Sequence, residues 1–218
     1  ITKFDKKGNL VLAQFLEGKA KSASHDLNVD ENGNIYVVSE YEERRLSLVS
    51  GDTHYYDIGF LAKYDSLGTL VWYKSFNSPS SAIHLELSEN QIYVTGKYTH
   101  RLKIDDDSLI ADSQNSANIF IAKFDRDGSL LNLEGFRSNF YIMPTSLAIG
   151  TKYVYVGGWY INQLYFETDT ITAPHSRHDF FVAQYSKDGF EFQWVRHGQS
   201  KIHKVVSDII ITPKDEAI

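Results

Sequence analysis

Four polar side chains stand at equivalent points of a recurring pattern, and their chemical types suit the binding of ions or polar ligands. Each comes directly before two apolar residues spaced two apart, as Asp26 comes before Leu27 and Val29. The four are Asp26, His84, Ser146 and Asp208. If the fold brings them together, they can coordinate a metal ion or hold a polar ligand. The alternative is that they are hydrated groups or tie neighbouring repeats together.

A second candidate is the aromatic pair Trp159 and Tyr160, which follows two glycines at the end of a predicted strand. Exposed aromatic rings can stack on sugars or anchor a protein partner. Aromatic residues in strands more often pack in a core, and we expect this of Trp72 and Trp194. Trp159 and Tyr160 lie close to a long connection, so we expect them to form a surface for a protein or glycan partner.

Other polar clusters predict turns and loops. Residues 30–34 and Asp105–Asp107 resemble calcium loops, but Gly33 stands at the fourth position instead of the sixth, and no Glu follows at the twelfth. We therefore expect hairpin turns at both places. The histidines and basic residues around His178 and His197 are expected to be solvated. No nucleophile elbow, phosphate loop or zinc-protease motif occurs, so the sequence predicts no catalytic residue, no metal and no cofactor.

The composition excludes some classes of function. The chain of 218 residues has a net charge of −6, and its lysines and arginines are scattered, so it offers no basic surface to nucleic acid or acidic lipid. It contains no cysteine, which excludes disulfides and thiolate metal sites. No apolar stretch is long enough for direct membrane insertion. The 14 tyrosines and 13 phenylalanines favour β-strands.

The candidate residues lie within a sequence unit that is repeated along the chain. The motif Phe-Ile-Ala-Lys-Phe-Asp-x-x-Gly at 120–128 returns in similar form at 60–68 and 181–189, and in part at 1–8. The aromatic residue before its turn stands at positions 4, 64, 124 and 185, with spacings of 60, 60 and 61 residues. A fixed period of this kind is typical of repeat architectures.

Each repeat is predicted to contain two hairpins and therefore four strands. In the Asp-x-x-Gly turn, glycine supplies a positive φ and aspartate accepts hydrogen bonds from nearby backbone amides. A second turn joins runs of alternating apolar residues. In the middle repeat we expect strands at about 82–88, 91–98, 119–125 and 129–136. The longer connection between the second and third strands is expected to form a small added hairpin or an extended loop at the blade edge, and helix is expected to be nearly absent.

Tandem four-stranded antiparallel units that are too small to fold alone are most simply the blades of a β-propeller. A β-sandwich is the alternative. We expect one all-β domain over residues 1–218, with blades at about 22–76, 80–136 and 140–196 and partial blades at 1–16 and 203–218. These three and a half blades would be part of a larger ring in a longer protein. Since exposed apolar faces and strand edges are generally covered, we expect further blades or a partner chain to cover them.

The repeats resemble the bacterial seven-bladed β-propeller repeats known as SBBP repeats. Phe60–Trp72 with Gln91–Gly96 matches the pattern of that family closely, and Phe120–Leu131 matches up to its tryptophan, where this chain has Asn132. The copy at 181–192 departs further, because Ser186 replaces the aspartate of the turn. The resemblance implies part of a large exported bacterial protein, at the cell surface, outside the cell or in the periplasm, in some cases carried by type IX secretion. It implies no shared active site.

The sequence leads to three hypotheses for function. The first is a non-enzymatic scaffold or binding module whose loops contact a protein or glycan partner. The second is a glycosidase-like or lyase-like enzyme with carboxylates at the mouth of the propeller channel, which Asp26 and Asp208 leave open. The third is a subunit of a larger envelope or secretion-linked assembly.

Overall fold

The computed structural model describes residues 1–13, 22–46, 53–111, 116–173, 178–198 and 204–218. Every regular element in these ranges is a β-strand, and neighbouring strands pair in antiparallel fashion. The prediction of an all-β fold is therefore confirmed. None of the described residues belongs to a helix that could cross a membrane.

The chain begins with a hairpin of β1 (Thr2–Phe4) and β2 (Leu10–Ala13). The first large sheet is formed in chain order by β3 (Ser22–Val29), β4 (Ile35–Leu46), β5 (Thr53–Tyr64) and the first part of β6 (Leu70–Ser88). Each strand pairs with the next along the chain. In the connection predicted from Glu42 to Ile58, β4 and β5 continue as one long hairpin that pairs as far as Leu46 and Thr53. Residues 47–52 of this connection lie outside the described ranges.

The second sheet starts with the later part of β6 and continues with β7 (Gln91–Tyr98). The connection that follows contains β8 (Arg101–Ile104) and β9 (Asp107–Ile110), which pair as the small hairpin predicted there. The sheet is completed by β10 (Asn118–Asp125) and β11 (Leu130–Ser138). The four strands predicted for the middle repeat are therefore all present.

The third sheet contains β12 (Tyr141–Ile149) and β13 (Tyr153–Ile161). Its long connection again adds a small hairpin, formed by β14 (Gln163–Tyr165) and β15 (Thr170–Thr172), as predicted. The sheet ends with β16 (Asp179–Ser186) and β17 (Phe192–His197). Because β14 also pairs with β11, the second and third repeats are joined by strand pairing. Within the described ranges no sheet closes on itself.

Two stretches differ from the predicted strands. The repeat boundary between 76 and 80 predicts a break, yet β6 runs through it as one strand of 19 residues. Up to Pro79 this strand pairs with β5, and from Ser80 it pairs with β7. Leu85 and Glu86 lie beside Asp26 and Asn28 of β3, so the second part of β6 runs back in the opposite direction and the chain reverses near Pro79. At the other stretch, 208–212, the predicted strand is reduced to a single bridge between Ile211 and Ala217. No other described segment pairs with it, so only that bridge forms.

The sheets pack face to face, and a hydrophobic core fills each interface between them. Strand β10 contributes Phe120 and Phe124 to the core shared with the first sheet, and Ile119 and Ile121 to the core shared with the third. Successive residues of a strand point to opposite faces, so the alternating apolar residues of β10 serve two cores. All four side chains are fully buried.

The meander order of the strands gives the sheets two different ends. The tight turns lie at one end, here named the turn end, and the long connections lie at the other, the loop end. At the turn end, Asp125 Oδ1 accepts hydrogen bonds from the backbone N–H groups of Asp127 (2.9 Å) and Ser129 (2.8 Å), and Gly128 has a φ of 86°. These are the roles predicted for the Asp-x-x-Gly turn.

The two segments that resemble calcium loops are both hairpin turns. Asp30 Oδ1 accepts hydrogen bonds from the N–H groups of Asn32 and Asn34, between β3 and β4. Asp105 has a φ of 53° in the turn between β8 and β9. Its carboxylate accepts a hydrogen bond from Lys74 Nζ at 2.6 Å. The prediction of hairpin turns is confirmed at both places.

Candidate functional site

The polar residues predicted for the first strands each follow a β-bulge. The strand register shifts between Ser24 and Asp26, between Ala82 and His84, and between Pro144 and Ser146. A bulge inserts one extra residue and redirects the side chains beside it. The three candidates are therefore oriented by a local irregularity that recurs in every sheet.

Two pairs of these residues meet, and each pair joins one repeat to the next. Asp26 Oδ2 accepts a hydrogen bond from the N–H of Leu85 at 3.0 Å and lies 3.7 Å from His84 Nδ1. Such contacts link the first sheet to the second. Contacts between neighbouring repeats were the alternative to a ligand site in the sequence-based prediction, and these residues make such contacts.

The second pair has the same arrangement. Ser146 Oγ accepts a hydrogen bond from the N–H of Ile209 at 2.9 Å and donates to Asp208 Oδ1 at 3.1 Å. Among the described residues, no group of three or more His, Asp or Glu side chains is arranged to hold a metal ion. The four candidates thus meet as two pairs.

One further carboxylate of this region escaped the sequence analysis. Glu86 lies two residues after His84 on β6, and its Oε2 accepts a hydrogen bond from Asn28 Nδ2 at 3.3 Å. Burial, followed by the negative charges of Asp26 and Asp208, raises the pKa of Glu86. Its position two residues beyond a candidate, on the same face of a strand, was the signal that could have identified it.

Trp159 lies at the loop end of the third sheet, inside a pile of three rings. Its indole stacks on Tyr141 with a centroid distance of 5.5 Å and an interplanar angle of 17°. It also stacks on the imidazole of His178 at 4.1 Å and 19°. Since β12 and β16 flank β13 on opposite sides, the two rings cover opposite faces of the indole. The outer surfaces of the pile therefore belong to Tyr141 and His178.

Tyr160 has no surface to offer a partner, which corrects the expectation drawn from the Trp159-Tyr160 pair. The side chain points to the other face of β13 and is fully buried. Its hydroxyl lies 3.1 Å from His197 Nδ1, and burial raises the pKa of the phenol. His197 is also 3.6 Å from the buried carboxylate of Asp179, so it is not a solvated loop residue as predicted. Alternation along a strand sends adjacent aromatic residues to opposite sides.

A cavity of about 270 Å³ adjoins the ring pile at the loop end. It lies where the second sheet meets the neighbouring ones, and Tyr141 forms part of its wall. The polar groups that line it include Asp57 on β5, Lys97 on β7 and Thr99 just after β7. The cavity and the aromatic pile thus form one continuous surface, joined by Tyr141.

Charges around this cavity are mixed. Glu40 Oε2 lies 3.4 Å from His25 Nε2. Burial acts to raise the pKa of Glu40, but hydrogen bonds from His25 and Ser81 and the positive charges of His25 and Lys97 outweigh it, and the pKa is lowered. Burial, then the charge of Glu40, raises the pKa of Asp57, against the effect of Lys97. Two neighbouring carboxyl groups are therefore shifted in opposite directions.

The loop end is where the repeats differ most in chemistry. The second strand of each repeat contains the run Tyr-Val-x. The second residue after this run differs between the repeats: it is Glu40 in the first, Lys97 in the second and Trp159 in the third. Of these three residues, only Trp159 is predicted from the sequence to lie at a binding surface. Comparing the residue at this one position in every repeat was the signal that could have added the other two. Tyr141 had no sequence signal of its own, because its contact with Trp159 depends on strand register.

Sequence comparison adds no relative: no protein-family model matches the chain, and no curated protein matches it. The resemblance to propeller repeats therefore rests on the motifs of the chain itself.

Proposed function

We propose that the chain is part of a β-propeller that serves as a non-enzymatic binding module of an exported or cell-surface bacterial protein. The architecture is supported by three successive sets of four antiparallel strands with hydrophobic cores between them, although β6 is shared by the first two sets and links them into one larger sheet. Neighbouring blades of a propeller bury each other in this way. The proposed exported location rests on the resemblance of the repeat motifs to SBBP repeats.

The observation that carries the proposed function is the pile of Tyr141, Trp159 and His178 beside the cavity at the loop end. Rigid aromatic side chains with exposed faces are frequent anchors for partners. Tyr141 is 41% exposed although one side of its ring is stacked on Trp159. The partner, a protein or a glycan, binds across this surface. The polar first-strand residues connect one repeat to the next.

The outer faces of the array need a second kind of partner. Val182 and Trp194 on the third sheet line a broad apolar groove of about 900 Å³ together with Val206 and Ile218. Large exposed apolar surfaces are generally interaction surfaces. Further blades or a partner chain would cover this face, and a role as subunit of a larger assembly follows if the cover is a separate chain.

A second candidate function, glycoside hydrolysis, is favoured by one observation. The pKa of Asp57, which lines the loop-end cavity, is raised, while that of Glu40, whose charge acts on Asp57, is lowered. Two nearby carboxyl groups whose pKa values are shifted in opposite directions are used as acid and base to cleave glycosidic bonds. In this candidate, Asp57 would be the general acid and Glu40 the base or nucleophile.

Photocrosslinking tests the binding module. A photoreactive phenylalanine analogue is placed at Tyr141, and as a control at Leu67, which is 80% exposed in the turn between β5 and β6. With cell-surface extracts, we expect a discrete crosslinked product from position 141 only. Equal products from both positions would contradict the proposal, as would release of sugars from the extracts by the unmodified protein.

A further inference from the structure

The ring of Tyr141 is held in place with one face directed away from its neighbour. Trp159 stacks on one side at 5.5 Å, and 41% of the residue remains exposed beside the cavity. An aromatic ring fixed in this way gives a flat apolar surface at little cost in conformational entropy. The faces of pyranose rings carry C–H groups that pack against such surfaces.

Polar groups of complementary type face the same cavity. Asp57 supplies a hydrogen-bond acceptor, Lys97 a donor, and Thr99 a hydroxyl that can do both. Adjacent hydroxyls of a sugar ring need this combination of donor and acceptor. Ligand pockets with an apolar wall and a few convergent polar groups are the usual form of small-molecule sites.

The volume of the cavity and the charges beside it restrict the class of ligand that can bind. The volume of about 270 Å³ is slightly below the range of roughly 300–1,000 Å³ for drug-sized ligands, so one sugar ring fits and a longer chain must continue over the ring pile. Glu40 and Asp57 stand beside Lys97, and the whole chain carries a net charge of −6. Acidic sugars are disfavoured by repulsion from these carboxylates.

We propose that the loop-end cavity lined by Asp57, Lys97 and Tyr141 binds one ring of an uncharged oligosaccharide, with Tyr141 stacked on the sugar and the other two side chains bound to its hydroxyls. This inference rests on the proposed function of the loop end as a binding surface. It names the class of partner and the residues that select it.

Calorimetric titration with defined oligosaccharides tests the proposal. The probes are hexasaccharides of glucose with different linkages, of mannose and of galactose, and an oligogalacturonate as the acidic comparison. We expect at least one uncharged probe to bind with a Kd in the micromolar to millimolar range, and the acidic probe to bind at least about tenfold more weakly. Chromatography of the same mixtures measures whether the probe is cleaved.

Matched variants assign the binding to the cavity. Tyr141→Ala and Lys97→Met are each expected to weaken binding at least about tenfold, which corresponds to about 1.4 kcal/mol. Tyr141→Phe keeps the ring and should keep the affinity, which controls for effects on folding. Tyr73→Ala and Lys152→Met, on exposed residues away from the cavity, should leave the affinity unchanged.

The outcomes separate this inference from the proposed function. Binding of an uncharged probe without cleavage, lost in Tyr141→Ala, supports both. Binding with cleavage keeps the site but overturns the non-enzymatic role. Failure of every uncharged probe to bind, or equal binding of the acidic probe, overturns the oligosaccharide inference, while a crosslinked protein at position 141 would still support the binding module.

Discussion

At the turn end, Lys63 and Lys123 occupy the same position in successive repeats and perform the same task. Lys63 Nζ donates to the backbone carbonyl of Arg126 at 3.2 Å, in the turn of the next repeat. Lys123 Nζ donates to the carbonyls of Lys187 and Asp188 at 2.9 and 2.7 Å, again in the turn of the next repeat. At the loop end, by contrast, equivalent positions hold residues as different as a glutamate, a lysine and a tryptophan.

The difference follows from what each end has to bury. A turn packed against the next sheet leaves backbone carbonyls without strand partners, and these need donors. In the third repeat, Gln184 replaces the lysine, and its Nε2 donates to the hydroxyl of Tyr155, which in turn donates to the carbonyl of Asp215. The residue type has changed, but a carbonyl of the following segment is still satisfied. At the loop end, the equivalent positions of successive repeats hold different residue types.

The largest effect separating the two ends is expected from a pair of lysines. Lys123→Met should lower the free energy of unfolding by about 2 kcal/mol, because two carbonyl groups lose a charged donor. Lys97→Met at the loop end should change it by less than about 1 kcal/mol, as for partly exposed charges. Urea denaturation measures both. If the two variants lose equal stability, the distinction between the two ends is wrong.

The next effect concerns the turn itself. Asp125→Ala removes the carboxylate that accepts hydrogen bonds from Asp127 and Ser129, and we expect a loss of about 1–2 kcal/mol. Asp106→Ala, in the exposed turn of the small β8–β9 hairpin, is the control and should lie within about 0.5 kcal/mol of the parent protein. Thermal unfolding followed by circular dichroism gives the comparison. Equal shifts in Tm for both variants would count against a special role for the Asp-x-x-Gly turn.

How much the sequence could predict also differs between the ends. Alternating apolar residues and turn residues act through local backbone preferences, so they predicted the strands and the small hairpins, including the turn at Asp125. The bulges before Asp26 and His84 have no residue signature, because they depend on pairing with neighbouring strands. The stack of Tyr141 on Trp159 joins residues of two strands through their register, which the sequence of one strand does not contain.

A gain of stability is expected at the loop end of the third sheet. Asp179 is buried, and its Oδ2 has no hydrogen-bond partner among the described residues. Burial raises the pKa of this carboxyl group, so its ionised form destabilises the fold. The equivalent residue in the second repeat is Asn118, which is also fully buried. Asp179→Asn should therefore raise the free energy of unfolding at pH 7 by about 1 kcal/mol.

The reciprocal change and the pH dependence sharpen this prediction. Asn118→Asp should lower stability at pH 7, since it places a carboxylate in a buried site. An aspartate with a raised pKa loses stability as pH rises from its ordinary value through the raised one. The advantage of Asp179→Asn should thus disappear below about pH 4. Urea titrations at several pH values measure this, and a gain that persists in acid would exclude the carboxylate as its cause.

The smallest effect concerns Asp57 in the loop-end cavity. Its pKa is raised by burial and by the charge of Glu40, so the ionised carboxylate is slightly unfavourable in the folded protein. Asp57→Asn should leave stability unchanged or raise it by a few tenths of a kcal/mol at neutral pH, since the group is largely exposed. The difference should vanish below about pH 4. If Asp57 does not stabilise the fold but is required for binding an oligosaccharide, its role is in ligand binding. A stability loss of about 1 kcal/mol or more in Asp57→Asn would place this residue with the structural groups of the turn end instead.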